Sequence, residues 1–216
     1  MKLIFIFLPF VLLYSCQTSN EQRQEKSSNK VELTAEINPQ AILLNDSAVS
    51  VMSSKSQEAI RLLDEAIALQ PNYFSAWHNK VNCQMHLGLI EDAIVSLLKM
   101  EEIDPNYPDN KTNLGIMYDI KGDSLLALEK YQEVEKMYVG ILDTVQTQDN
   151  PYQMYELLRA SNLILMGEKE KASGYLKKLL SNPSVDTVYT SKAAKDLLGV
   201  NRQEMLEGFK KNFGKY

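Results

Sequence analysis

Between Ile90 and Glu101 the apolar residues Ile90, Ala93, Ile94, Leu97, Leu98 and Met100 return at helical spacing, while Glu91, Asp92, Lys99 and Glu101 fill the gaps. A 3.6-residue period predicts an amphipathic helix with those charges turned to solvent. Farther along, Ala127, Tyr131, Val134, Tyr138, Ile141 and Val145 are separated by 4, 3, 4, 3 and 4 residues, with no proline before Pro151. That seam predicts one long helix from about Ser124 to Thr147, ~36 Å from end to end. The stretch DTVYTSKAAKDLLG predicts another helix. In the last one, Asn201 stands as N-cap with Glu204 reaching back, and Met205, Leu206, Phe209 and Phe213 share a face. Together these two helices, within residues 187–216, are expected to cap the open end of what precedes them.

The pattern also repeats at long range. Pro71-Asn72-Tyr73 returns as Pro105-Asn106-Tyr107, 34 positions on. Copies starting at 40, 74 and 108 overlay without a gap, so that Gly88 falls on Gly122, Ala93 on Ala127 and Leu97 on Tyr131. A fourth copy begins near Gln153, with Gly167, Ala172, Leu176 and Leu179 in register, a step of 45 that inserts 11 residues into the third unit. Each recurring residue has a physical reason: the glycine takes the tight turn after a first helix, the alanine lets two helices approach, and the proline closes the second helix. One such pair has too small a core to stand alone, so neighbours must stack to supply the burial. The first copy is weak, as expected of a terminal unit.

On Trp77, Leu114-Gly115, Tyr118, Gly88, Gly122, Ala59, Ala93, Ala127, Tyr131, Ala66, Pro71 and Pro105, the chain resembles the tetratricopeptide repeat. The resemblance implies an all-α, right-handed superhelical solenoid of antiparallel helix pairs over residues 37–186, in units 40–73, 74–107, 108–152 and 153–186. It also implies a concave groove lined by first helices, here Ser75, His78, Asn82, Met85, His86, Asp109, Thr112, Asn113, Ile116 and Asp119. Some members clamp a C-terminal carboxylate with two asparagines and several cations. Asn82 and Asn113 match the asparagine places, but Met154 and Leu158 stand where cations are needed. The mixed polar and apolar lining instead suits an extended segment or a partner helix. The long helix of the third unit is an alternative binding surface.

The first sixteen residues, MKLIFIFLPFVLLYSC, have one cation at Lys2, an apolar run from Leu3 to Tyr14 and a small residue before Cys16. This is the layout of a secretory signal; as a helix the run spans only about 18 Å, short of the ~30 Å hydrocarbon core. Leu13, Ser15 and Cys16 resemble the bacterial lipobox, which implies cleavage after residue 15 and acylation of Cys16. Residues 16–36 then form a flexible tether, since QTSNEQRQEKSSNK holds no large apolar residue. Gln17 after the cysteine, by similarity to sorted lipoproteins, implies the outer membrane as destination.

A net charge of -5 and a pI near 5.2, with no cluster of Lys and Arg, argue against a phosphate-binding surface, so no nucleic-acid partner is expected. Two cysteines, Cys16 and Cys83, supply no disulfide framework. His78, Cys83 and His86 share a helix, but at 100° per residue Cys83 lies about 140° and His86 about 80° from His78, which spoils a shared ligand site. With no P-loop, G-x-S-x-G, H-E-x-x-H or C-x-x-C motif, no catalytic residue, metal or cofactor is expected. The reading is an envelope-anchored interaction scaffold or assembly factor with a protein partner. The alternative is a glycan- or peptidoglycan-handling accessory that recruits a wall or polysaccharide-processing enzyme, though the groove positions named above hold no aromatic residue for sugar stacking.

Overall fold

A computed structural model describes residues 37–145, 150–182 and 189–213. The signal segment, Cys16 and the tether lie outside the described residues. Among the described residues there are ten helices and no strand: α1 (Pro39–Val51), α2 (Ser56–Leu69), α3 (Phe74–His86), α4 (Ile90–Ile103), α5 (Pro108–Lys121), α6 (Ser124–Leu142), α7 (Asn150–Leu165), α8 (Lys169–Ser181), α9 (Tyr189–Leu198) and α10 (Arg202–Asn212). Consecutive helices pair as α1–α2, α3–α4, α5–α6 and α7–α8, and each later first helix also packs on the second helix before it. None of them is long and apolar enough to cross a membrane.

The sharp turn inside three of the pairs is built the same way. Gly88, Gly122 and Gly167 have φ of 71°, 95° and 85°, a left-handed backbone that a side chain resists. Each lets the chain fold back so that the next N–H meets the carbonyl five residues earlier: Leu89 to Gln84 at 2.9 Å, Asp123 to Tyr118 at 2.8 Å and Glu168 to Leu163 at 2.8 Å. Those bonds satisfy orphan carbonyls at the helix ends and set the antiparallel return.

Packing follows the recurring small residues. Ala59, Ala93, Ala127 and Ala172 are at most 1% exposed, placing backbones close between the helices of each pair. Gly115 serves the same end, since a methyl group there would run into the ring of the fully buried Tyr131. The core forms two clusters. One, rich in alanine, joins α1 and α2 to α3 through Ala41, Ala48, Ala59, Ala66, Ala76, Leu63 and Cys83. The other runs from Val81 and Met85 through Leu97, Leu114, Tyr131 and Leu163 to Leu206.

Three features depart from expectation. The long helix α6 has 19 residues and stops at Leu142 rather than near Thr147; its seam buries Ala127, Tyr131, Val134 and Tyr138, while Ile141 is half-buried and Val145 lies past its end. Its extra turns pack on α7, where Tyr138 meets Tyr155 at 6.3 Å and the Glu135 carboxylate accepts from Arg159 at 2.7 Å. Glu101, placed among solvent charges by the pattern, is only 18% exposed and accepts hydrogen bonds from Lys111 and Lys130. Finally, α9 packs on α8 and α7 as an end cap, but α10 turns back onto α5 and α7, the first helices of the third and fourth pairs.

Candidate functional site: the inner wall

The sequence-predicted groove residues stand on first helices α3 and α5, and they divide sharply in exposure. Ser75, Asn82, Asp109 and Thr112 are half-buried, and His86 is exposed. His78 is 8% exposed, with its Nδ1 3.4 Å from Asn82 Nδ2, so these two are brought together as one polar step. Burial holds the His78 imidazole below its usual range, only partly offset by a hydrogen bond with Asn79. One pair along, Asn79 donates to Asn45 Oδ1 at 2.8 Å, tying α3 to α1 through residues 34 apart. Thr112 spends its hydroxyl on the Pro108 carbonyl at 3.1 Å, and Asp109 accepts from the Tyr138 hydroxyl at 3.5 Å.

Other predicted lining residues are buried. Met85 and Ile116 are 4% and 2% exposed and belong to the main core cluster. Asn113 is 7% exposed. The Asp119 side chain is 2% exposed and fully engaged: it accepts from the Tyr131 hydroxyl at 2.9 Å and from Arg202 Nη2 at 2.6 Å. Burial, reinforced by the Asp119 charge, pushes the Tyr131 phenol far above its ordinary range, so the hydroxyl stays a donor. Arg202 Nε also donates to the carbonyl of Leu165, the last residue of α7, at 2.6 Å. One guanidinium thus closes a buried carboxylate and an orphan carbonyl at a helix C-terminus.

Arg202 is the residue that reading the sequence missed. A signal existed, since an aspartate on an otherwise apolar stretch of inner wall calls for a cation, but nothing local says that the cation sits 83 residues later. His78, Cys83 and His86 do not converge; Cys83 is buried and its thiol is pushed up to about 11 by burial. Among the described residues no group of three or more His, Cys, Asp or Glu is placed to hold a metal ion.

The profile of the tetratricopeptide repeat matches residues 51–114, covering most of the first two pairs. Among solved structures, a putative kinesin light chain of Podosopora anserina with nearly identical repeats of this type is 16% identical, over 82% of this chain and 95% of that one, with a TM-score of 0.57. This is a tetratricopeptide-type solenoid. A thermophilic tetratricopeptide protein of Thermus thermophilus is 22% identical over 80% of this chain and 89% of that one, with a TM-score of 0.50. At such identities the likeness speaks for the fold alone. A search of curated proteins gives no match.

Proposed function

We propose that this tetratricopeptide chain is a non-enzymatic interaction scaffold, held at the bacterial envelope by acylation of Cys16, with its partner bound along the inner wall. The carrying observation is the division of that wall. Over α3 and the start of α5 the side chains of Ser75, Asn82, His86, Asp109 and Thr112 stay partly or fully open to solvent, whereas over the end of α5 and α7 the wall is already covered by a helix. A surface of hydrogen-bonding side chains next to a helix-covered stretch suits a protein segment laid along the solenoid. The lipobox-like ending at Cys16 supports the anchor, and Gln17 favours an outer-membrane address.

A photo-crosslinking residue at Asn82 or His86, in cells, tests the binding surface. The expected result is a discrete crosslinked partner whose yield falls at least fivefold when Ser75 and Thr112 are changed to Ala. An unchanged crosslinking pattern sinks the inner-wall reading. Cys16→Ala is expected to move the chain from the membrane to the soluble fraction; unchanged fractionation would remove the anchor while leaving the scaffold reading intact.

A further inference from the structure

Helix α10 lies on the first helices of the third and fourth pairs, α5 and α7. It is the last helix of the described residues, yet its main contacts are neither with α9, as a further solenoid layer would make, nor with the second helices. It is an independent amphipathic unit with its own start signal: Asn201 Oδ1 accepts from the Glu204 N–H at 3.0 Å and Glu204 Oε2 accepts from the Asn201 N–H at 2.9 Å. Met205 and Leu206 are buried, and Phe209 and Phe213 pack half-buried against the main core. Gln203, Glu204, Glu207, Lys210 and Lys211 remain exposed. Relative to Arg202 the apolar residues sit at +3, +4, +7 and +11, one stripe of a helix.

From this we propose that the inner wall over α5 and α7 is a helix-binding surface, that α10 is its resident occupant, and that the partner it accepts is an amphipathic helix with an arginine in its first turn. This rests on the reading of the inner wall as the partner surface and names the class of partner. Charge decides the arginine. With α10 seated, Asp119 lies almost wholly out of water between the Tyr131 hydroxyl and Arg202, so any helix that covers this place must strip water from the carboxylate. An incoming helix without a cation at that place must accept the whole desolvation cost; one with an arginine also satisfies the Leu165 carbonyl. Exchange is accessible because α10 has 11 residues, too few to hold as an isolated helix, and forms no repeat pair with a partner helix of its own.

The test uses the full chain and a fluorescently labelled synthetic peptide of residues 200–213. In the R202A/L206A chain, whose own helix is loosened, the peptide is expected to bind at least tenfold more tightly than in the unaltered chain. A peptide with Ala in place of its arginine should lose at least tenfold, and that loss should shrink when Asp119→Asn is added to the chain. Hydrogen exchange of the unaltered chain supplies a reading independent of any variant: α10 amides should exchange ahead of those in α5 and α7. Peptide binding no tighter to the loosened chain, indifference to the arginine, or α10 amides released only with global unfolding would each make α10 a permanent cap and overturn the proposal. A positive peptide result with no crosslinked partner at Asn82 or His86 would instead count against the broader placement of the partner along α3.

Discussion

Gly115 and Tyr131 form the sharpest single contact in the fold. Alanine for glycine inside a helix ordinarily stabilises by up to about 1 kcal/mol, because the glycine gives up more backbone freedom on folding. Here the added methyl meets the Tyr131 ring, which is fully buried and held at its hydroxyl by Asp119, so it has nowhere to go. Overpacking costs ~1–3 kcal/mol and wins. Gly115→Ala should therefore lower the urea midpoint, and Tyr131→Leu should make the same change at position 115 close to neutral, a coupling that a double-mutant cycle measures. His78 gives a second, pH-dependent case. Its folded pKa lies below the ordinary 6.5 through burial, so under acid the unfolded chain takes up the proton more readily than the folded one. Stability from this group is complete above about pH 6.5 and declines as the pH falls toward the lowered folded value. His78→Gln should flatten that part of the stability-against-pH curve; an unchanged slope between pH 7 and 5 would show that the imidazole is not protected from protonation.

Helices α4, α5 and α6 are joined by a charge cluster standing where the repeat pattern favours tryptophan. Lys111, in the place that Trp77 holds one unit earlier, donates to Glu101 and Glu133, and Lys130 reaches the same two carboxylates at 3.0 Å and 3.3 Å. Burial would raise both carboxylates, but hydrogen bonds from the two lysines hold Glu101 and Glu133 below their usual range; the same bonds, against burial, raise Lys111 and Lys130. With folded carboxylate values below the unfolded ones, the contribution is present above about pH 4.5 and is lost as the pH drops through the lowered values. Glu101→Gln should cost about 1–3 kcal/mol at neutral pH by leaving Lys111 short of a partner, read as a fall in urea midpoint that shrinks as the pH is taken below about 4.5 through the lowered folded values. The cluster marks what local pattern can and cannot say. Amphipathic spacing in α4 assigns Glu101 to solvent because it reads one helix alone, whereas the carboxylate faces the seam between two units. The recurrence of glycine, alanine and proline at a fixed period was legible because those residues answer to backbone geometry within a unit. The inward turn of α10 was not legible: its capping box and apolar stripe describe a helix, and only the cation requirement of Asp119, far upstream in the chain, says where that helix goes.

In a linear array each pair leans on its neighbours, so stability is distributed rather than pooled. The first pair is attached through a cluster made chiefly of alanines, with Leu63 the largest fully buried side chain there, while the second cluster runs from α3 to α10 with Leu97, Leu114, Tyr131 and Leu163 at its centre. Helix α3 serves both, giving Ala76 and Cys83 to one and Val81 and Met85 to the other. The buried side chains of the first pair are mostly small, and α1 exposes Ile42, Leu43 and Val49 besides. The first pair should therefore open before the three pairs that follow it. Leu63→Ala removes the main large side chain of its cluster at a cost of ~2–5 kcal/mol, enough to uncouple α1 and α2 while α4 to α8 stay folded. Hydrogen exchange should then rise across residues 39–69 with protection kept across 90–142, whereas Leu163→Ala, at the centre of the larger cluster, should accelerate exchange through α5 to α10 and lower the main thermal transition. Equal acceleration along the whole chain from Leu63→Ala would mean that the pairs fold as one cooperative body, and the division into two clusters would carry no energetic boundary.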